Sequence, residues 1–379
     1  MMQVYEEKHF NDMLEMLEQL VNMDSGSNDK DGVDRVGTFL REAYEQIGFV
    51  SEVHENDTYG NSISLRHQDA ANPDILILAH MDTVFPSGTA KERPFTVRDG
   101  RAYGPGVIDM KGSQAMLFYT MKTLMEQQNA AYKHVEIVLN SDEEVGTVSS
   151  RALIEEKTKG KKAALVMEPA RENGSIVSSR RGSGRYDLDI KGRSAHSGMN
   201  PERGINAIEE LAHKIIDLQG LSDPENNLHV NVGMIEGGTS VNTIAPSAKA
   251  SIDVRISTAS QGETIDKEIQ AIARKHAVDG TEITLTGGIN RPPMEWSDEV
   301  QRLVDIIQAE AGKIGLNVQD TATGGGSDAS FTAAMGVPTV DGLGPVGGKQ
   351  HTSEEYLVVD SLMERMALFT NVLEQLSKE

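Results

Sequence analysis

The chain has 379 residues, a formal net charge of −22 and no cysteine. Its length exceeds that of one typical domain, its acidic balance argues against nucleic-acid and anionic-membrane partners, and the lack of cysteine excludes disulfides and thiolate catalysis. Any metal site must therefore use His, Asp and Glu side chains. The charged N-terminal segment has no signal-peptide core, and no apolar run is long enough for a bilayer, so the sequence predicts a soluble cytoplasmic protein.

Buried strands alternate with helices in the first half of the chain. Helical periodicity covers residues 10–21, 33–47, 112–127 and 149–157. Continuous apolar runs, typical of strands buried on both faces, occupy residues 75–79, 135–139 and 163–167. This alternation predicts an α/β layered domain.

The pattern changes at about residue 181, where polar and apolar residues begin to alternate. Such alternation favours a sheet with one face open to solvent. Strands are predicted at 184–190, 230–235, 248–256 and 282–285, and helices at 204–218 and 261–276. Helices resume at 297–315 and 355–376. We therefore predict one domain from residues 1–180 and 293–379, interrupted by an inserted α+β domain at 181–292.

Acidic and imidazole side chains follow each of the three apolar runs. Because ligands gather at the carboxyl ends of strands in open α/β sheets, these groups are expected to converge. Each is ordinary alone as a surface or turn residue, but several acids at buried strand ends are costly without a cation among them. The set suits zinc, cobalt or manganese. The candidates are His80, Asp82, Asp109, Glu143, Glu144, Glu168 and His351.

Four segments around these residues resemble the M20 metallopeptidase family, and they occur in the family's order. They are His-Met-Asp-Thr-Val at 80–84, Gly-Pro-Gly-Val-Ile-Asp-Met-Lys-Gly at 104–112, Ser-Asp-Glu-Glu-Val-Gly at 141–146 and Met-Glu-Pro at 167–169. The resemblance implies a zinc-peptidase-like catalytic domain, with a mixed sheet flanked by helices, and an inserted ferredoxin-like domain that serves as lid and dimerisation domain.

The resemblance also implies a role for each candidate, with two zinc ions as cofactors and cobalt or manganese as possible substitutes. His80 and Glu168 would bind one ion, Glu144 and His351 the other, and Asp109 would bridge the two. Glu143 would be the general base that activates water, and Asp82 would orient His80. The peptide bond after Asp109 would be cis.

Residues of the inserted segment match the family as well. His196 would reach across a homodimer and donate a hydrogen bond to the substrate carbonyl. Substrate contacts would come from Asn242, Arg255, Arg291, Gly326 and Ser327, with Arg291 gripping a free carboxylate. Three alternatives stay open from the residues themselves: a local turn for His196, a strand salt bridge for Arg255 and a loop surface charge for Arg291. The Gly-rich segment at 324–330 lacks the Gly-Lys-Ser/Thr ending of a phosphate-binding loop.

Segments at 84–89, 93–95 and 103–106 look most like the glutamate-carboxypeptidase branch of the family. The sequence therefore favours a carboxypeptidase that cleaves an amide next to a free C-terminal carboxylate. The alternatives are an N-acyl amino acid deacylase or desuccinylase, a dipeptidase or tripeptidase, and, in a different class, a non-catalytic metal- or ligand-binding protein on the same fold. The metal and base motifs do not separate the first three.

Overall fold

The computed structural model describes residues 2–379, with side chains described from residue 9 onward. The helices of this part of the chain are α1 (Met2–Val21), α2 (Lys30–Gln46), α3 (Thr89–Glu92), α4 (Gly112–Glu126), α5 (Arg151–Thr158), α6 (Ala207–Gln219), α7 (Ala259–Arg274), α8 (Asp298–Lys313), α9 (Ala329–Ala334) and α10 (Asp360–Leu376). The strands are β1 (Phe49–His54), β2 (Ser62–His67), β3 (Ile75–His80), β4 (Thr96–Arg98), β5 (Arg101–Tyr103), β6 (Val135–Asn140), β7 (Ala163–Val166), β8 (Ile176–Arg180), β9 (Gly182–Lys191), β10 (His229–Gly237), β11 (Ser247–Ile256), β12 (Glu282–Arg291), β13 (Asp320–Thr323), β14 (Thr339–Val340), β15 (Gly347–Gly348) and β16 (Tyr356–Val358).

The described residues divide into two compact units. The first contains the described chain up to Ser179 together with Trp296–Thr323 and Ser327–Glu379. The second contains Arg180–Glu295 and also Gly324–Gly326. The three glycines group with the second unit, whereas the sequence analysis assigns them to the domain formed by the first and last parts of the chain.

A six-stranded mixed sheet forms the centre of the first unit, in the order β1-β2-β6-β3-β7-β14. β3 pairs parallel with β6 on one side and with β7 on the other. β7 continues parallel to β14, while β1 and β2 complete the opposite edge by antiparallel pairing. The three strands predicted from apolar runs are therefore neighbours, and their carboxyl ends lie along one edge of the sheet.

Strand β3 is apolar at every position before His80 because both faces of the sheet are covered. Ile75 and Ile77 belong to the main core, which also contains residues of helices α1, α2, α4, α8 and α10. Leu76 and Leu78 are also buried, and they face the other side because successive side chains of a strand alternate. Helix α9 contacts β7 and packs against α5. Burial on both faces is the reason that a parallel strand has a continuous apolar sequence.

The second unit is a four-stranded antiparallel sheet in the order β10-β11-β9-β12, with α6 and α7 packed against it. Its chain order is β9-α6-β10-β11-α7-β12, which is the β-α-β-β-α-β order of ferredoxin-like domains. The side chains at alternate positions of β9, Tyr186, Leu188 and Ile190, enter its core. β10 and β12 are the edge strands.

The structure differs from the sequence prediction in several elements. Strands β1 and β2 were not predicted, because β1 is largely exposed and β2 buries serines next to Ile63 and Leu65, so it has no continuous apolar run. The prediction of a helix from residue 355 was wrong at its start. Tyr356–Val358 pairs with Arg101–Tyr103 as strand β16, so α10 begins only at Asp360.

Among the described helices, none combines the length and the apolar character needed to cross a bilayer.

Candidate metal centre

Three neighbouring strands bring the predicted polar residues to one edge of the sheet. His80 is the last residue of β3, and Glu168 follows β7 after a single intervening residue. Glu143 and Glu144 lie in a short helical turn after β6. Because β6, β3 and β7 are adjacent and parallel, these four side chains converge where the sequence analysis expected them.

The Asp109 carboxylate lies between two histidines that are distant in sequence. Asp109 Oδ1 is 3.1 Å from His80 Nε2, and Asp109 Oδ2 is 3.3 Å from His351 Nε2. His351 Nε2 is also 3.2 Å from Glu144 Oε2, and His80 Nε2 is 3.8 Å from Glu168 Oε1. One carboxylate oxygen of Asp109 thus faces each imidazole.

Potential ligand atoms of these side chains cluster in two overlapping groups. Oxygen or nitrogen atoms of His80, Asp109 and Glu144 all lie within 4.8 Å of one another. The same is true of His80, Glu143 and Glu168. An imidazole with two or three carboxylates is a donor set that suits zinc, manganese or cobalt.

Neighbouring charges and hydrogen bonds shift the pKa values of three residues of this cluster, the buried His80, the partly buried Glu168 and the exposed His351. Burial lowers the pKa of His80, but hydrogen bonds to Asp109 and Asp82 and the charge of Glu168 outweigh it and raise that pKa well above its usual value. Burial and the neighbouring Asp109 charge raise the pKa of Glu168 well above its usual value. Hydrogen bonds to Asp109 and Glu144 raise the pKa of His351 to about 10. The surrounding carboxylates thus favour the protonated form of both imidazoles.

One carboxylate oxygen of this cluster lacks a hydrogen-bond partner within the described part of the chain. Glu144 Oε1 is buried and makes no hydrogen bond to any described residue. A buried carboxylate oxygen without a partner is unfavourable, since its desolvation is not compensated. The donor set and this oxygen therefore fit a bound cation.

Asp82 is completely buried and joins the strand end to the turn after β6. Its Oδ1 and Oδ2 accept hydrogen bonds from the backbone N–H groups of Glu143 and Glu144, both at 3.1 Å. Ser27 Oγ donates to Oδ2 at 2.6 Å. His80 Nδ1 makes its shorter contact, 2.9 Å, with the main-chain oxygen of Asp82, and the carboxylate Oδ1 is 3.4 Å away. Asp82 therefore holds the Glu143–Glu144 turn as well as the imidazole.

The loop that carries Asp109 contains a cis peptide bond between Asp109 and Met110, the position at which the family resemblance implies one. Three backbone N–H groups of this loop bond to Glu355, a buried residue that the sequence analysis did not single out. Burial raises the pKa of Glu355 to about 7, and these N–H bonds oppose the rise. The pair Glu354-Glu355 in the sequence was the one available signal, and it did not distinguish the buried residue from the exposed one.

Ser327 and Asp328, which follow the three glycines after β13, make buried contacts within the first unit. Asn140 Nδ2 and Thr147 Oγ1 donate to the Asp328 carboxylate at 2.7 and 2.5 Å. Ser327 is buried, and its hydroxyl donates to Asp341. These bonds secure the ends of β6 and β14, so Ser327 has a structural partner in addition to its predicted substrate contact.

The remaining predicted substrate residues lie in the second unit. Ser197 N donates to the main-chain oxygen of Asn242 at 3.0 Å, so the segment of exposed His196 lies beside Asn242. Arg255 pairs with Asp253 on β11 at 3.0 Å, which is the strand salt bridge anticipated as its alternative. Arg291 approaches Gly326 so closely that a Cβ atom there would lie 2.5 Å from the Arg291 Cδ atom.

Sequence comparison with known proteins gives a consistent result. Residues 76–375 match Peptidase family M20/M25/M40. Carboxypeptidase G2 of Pseudomonas sp. (strain RS-16) is 29% identical over 368 residues, which cover 95% of this chain and 88% of that protein. Succinyl-diaminopimelate desuccinylase of Dechloromonas aromatica is 29% identical over 356 residues, covering 89% of this chain and 92% of the relative.

Solved structures agree in fold. Aminopeptidase PepT of Bacillus cereus superposes with a TM-score of 0.78 at 23% identity, covering 97% of this chain and 99% of that one. A Bacillus subtilis protein described as a dinuclear metal-binding peptidase from the M20 family superposes with a TM-score of 0.70 at 17% identity, covering 98% and 99%. The predicted α/β fold is thereby confirmed. With its match over residues 76–375, the chain is a member of Peptidase family M20/M25/M40 and a metal-dependent hydrolase.

Proposed function

We propose that this protein is a two-zinc metallopeptidase that hydrolyses the amide bond next to a free C-terminal carboxylate. The observation that carries the proposal is the position of Asp109, with one carboxylate oxygen facing His80 and the other facing His351. A carboxylate with an imidazole on each oxygen is suited to bridge two ions, and paired ions of this kind act on both the attacking and the leaving groups of a hydrolysis.

The remaining ligands follow from proximity. Glu168 lies nearer to His80, so these two would hold one ion together with Asp109. Glu144 contacts His351, so these two would hold the other. The bare Oε1 of Glu144 supports this assignment, since a cation would give that oxygen the partner it lacks among the described residues. Zinc suits the donors, and cobalt or manganese would substitute.

When bound, the ions supply Lewis acidity toward the scissile carbonyl and lower the pKa of a water molecule. Glu143 has no ligand duty in this assignment, and its backbone is held by Asp82. It accepts a proton from the water whose oxygen attacks the carbonyl carbon. It then delivers that proton to the amide nitrogen as the C–N bond breaks, which releases a free amine and a carboxylic acid. The acid then loses its proton to solvent and becomes a carboxylate.

Arg291 is the proposed partner of the substrate's free carboxylate, because a guanidinium binds carboxylate through two parallel hydrogen bonds. Gly326 supports this role, since the absence of a side chain there permits the close approach of Arg291. The match to carboxypeptidase G2 favours removal of a C-terminal residue. The match to succinyl-diaminopimelate desuccinylase favours the second candidate, hydrolysis of an N-acyl amino acid.

We also propose a homodimer formed through the second unit. Strand β10 pairs only with β11 among the described strands, and its Met234 and Ile235 are each 63% exposed. Helix α6 exposes Ile208 and Ile216. An edge strand and helix with exposed apolar side chains are suited to pairing with a second copy. In that dimer His196 would donate to the substrate carbonyl bound in the partner subunit. Nucleic acid and membrane are not among the proposed partners, and the cytoplasmic location stays a prediction from the sequence.

The deciding experiment is a substrate screen with metal-loaded protein. Dipeptides and N-acyl amino acids that vary in the C-terminal residue are compared with the same compounds carrying a C-terminal amide. We expect that only the free acids are hydrolysed. This activity should be lost when the metal is removed by a chelator and should return when zinc or cobalt is added. Equal hydrolysis of the amides would refute recognition of the carboxylate, and activity that survives exhaustive chelation would refute the metal mechanism.

A further inference from the structure

Glu355 is a buried carboxylate, 1% exposed, that binds the backbone of the Asp109 loop. Its Oε1 accepts hydrogen bonds from Ile108 N at 2.9 Å and Asp109 N at 3.1 Å. Its Oε2 accepts from Gly106 N at 3.2 Å. Three converging N–H groups form an anion-binding concavity, and here the anion is a side chain from a segment about 250 residues later.

The loop depends on this carboxylate because it is not a regular helix. Gly106 has a left-handed φ of 72°, and Asp109 and Met110 have non-helical backbone angles. The N–H groups of Ile108 and Asp109 therefore use Glu355 as their acceptor instead of a regular helical carbonyl. Buried N–H groups without an acceptor are costly. The Glu355 carboxylate supplies the acceptor for these groups and thereby stabilises the loop conformation.

Glu355 also belongs to the segment that carries His351, the other histidine of the candidate site. Glu355 lies four positions after His351, and its N–H bonds to Thr352 O at 3.3 Å, while Thr352 N bonds to Lys349 O at 3.2 Å. His351 occupies the tight turn closed by these bonds, with a left-handed φ of 63°. Through one side chain, the turn that presents His351 is attached directly to the loop that presents Asp109.

We propose that Glu355 is a positioning residue that sets the distance between Asp109 and His351 and thereby the affinity for the ion these two residues share. This inference rests on the metal-binding function proposed above. Outer groups that orient ligands of a metal ion alter its affinity by about 10- to 100-fold when they are removed.

The test uses the full-length protein with Glu355→Ala, Glu355→Gln and the control Glu354→Ala. Glu354 is the neighbouring acid in the same turn, and its side chain is 70% exposed. Zinc and cobalt are titrated into the metal-free proteins. For Glu355→Ala we expect affinity for one of the two ions to fall by about 10- to 100-fold. Glutamine keeps one acceptor oxygen, so Glu355→Gln should recover much of that loss, while the Glu354→Ala protein should bind as the wild type does.

A second readout requires no metal and no activity. Amide hydrogen exchange of a peptide spanning residues 104–112 is measured in the metal-free proteins. Exchange should be about 10-fold faster in Glu355→Ala than in the wild type, with Glu355→Gln intermediate, because the N–H groups lose their acceptor. If Glu355→Ala does not fold, Glu355→Gln is used alone and must show both effects in smaller degree.

The outcomes separate this inference from the proposed function. Wild-type protein that binds no metal would overturn both. Wild-type protein that binds two ions, with a folded Glu355 variant that binds them equally tightly, would overturn the role of Glu355 alone. Loss of thermal stability with unchanged metal affinity and unchanged exchange at 104–112 would also contradict it, because that result describes a residue important only for folding.

Discussion

The Asp82 carboxylate binds the backbone N–H of Glu143 at 3.1 Å, so the turn that carries the proposed base is held from the end of strand β3. The second carboxylate oxygen binds Glu144 N and also accepts from Ser27 Oγ. A carboxylate that is 0% exposed needs such donors, since its charge is removed from water. The proposed base and a proposed ligand thus share one buried support.

Removal of the Ser27 hydroxyl tests that support. Hydrogen bonds to charged groups contribute about 1.5–3 kcal/mol, so Ser27→Ala should lower the free energy of unfolding by about that amount. The turnover number should also fall, because Asp82 is less firmly held. Urea unfolding of the metal-free protein provides the measurement, with Ser87→Ala as the control, since Ser87 is exposed and bonds to Asp29 instead. Equal stability of the Ser27→Ala and wild-type proteins would show that Asp82 does not depend on this hydroxyl.

Two adjacent glutamates should respond differently to the same substitution. Glu143→Gln should retain both metal ions and lose turnover by about 10²- to 10⁴-fold, the usual contribution of a general base. Glu144→Gln should instead weaken metal binding, because a carboxylate facing His351 is lost. Metal content by elemental analysis, together with steady-state kinetics, distinguishes the two. Loss of metal from Glu143→Gln would reassign that residue to the ligand set.

Gly326 and Gly325 form a matched pair of positions for testing whether Arg291 binds the substrate carboxylate. A Cβ at Gly326 would lie 2.5 Å from Arg291 Cδ, whereas a Cβ at Gly325 would lie 3.9 Å from the Arg180 guanidinium. Gly326→Ala should displace Arg291 and reduce kcat/KM for free-acid substrates by about 10- to 100-fold, the equivalent of one strong charge-assisted bond. Gly325→Ala should have little effect. Similar losses in both variants would argue against a specific role for Arg291.

The proposed action of His196 across the dimer predicts complementation. A His196→Ala subunit and a Glu143→Gln subunit should each form nearly inactive homodimers. In a mixed dimer, one site combines an intact Glu143 with an intact His196 from the other subunit. The activity of the mixed dimer should therefore reach a substantial fraction of the activity of one wild-type site. The measurement is kinetic, after subunit exchange verified by mass spectrometry. Verified mixed dimers without recovered activity would exclude a shared site.

A buried ion pair in the second unit predicts a stability change with pH. Glu210 and Lys214 pair at 2.8 Å, and both side chains are almost fully buried. Burial raises the pKa of Glu210, but the Lys214 bond and two backbone N–H bonds outweigh it and lower that pKa below its usual 4.5. A lowered carboxylate pKa stabilises the fold above the unfolded-state value, and the contribution is lost as the pH falls through the folded-state value.

Glu210→Gln should therefore destabilise the protein by about 3–5 kcal/mol near neutral pH, since Lys214 is left buried without its partner. The difference from the wild type should shrink as the pH falls below about 4.5. Denaturant unfolding across that pH range provides the measurement. Glu209→Gln, an exposed neighbour on the same helix, is the control and should follow the wild type. A difference that stays constant with pH would contradict the assigned role of the Glu210 charge.

The sequence by itself determined the central strands and the chemical nature of the site. Apolar runs identified β3, β6 and β7 because strands covered on both faces must be apolar throughout. His80, Glu143, Glu144 and Glu168 could be grouped because parallel strands end at one edge. The residues of the candidate metal cluster can thus be recognised from the sequence, whereas their individual roles follow only from the family resemblance.

Only the tertiary structure decided which groups support that cluster. Ser27 and Glu355 are small or ordinary polar residues in sequence, and their importance comes from burial beside Asp82 and the Asp109 loop. The edge strand β1 and its neighbour β2 also escaped prediction, because their patterns depend on neighbours contributed by distant segments. The local sequence indicates which side chains can bind a metal. The hydrogen bonds that hold those side chains depend on contacts between segments far apart in the chain, and these contacts cannot be predicted from periodicity and spacing.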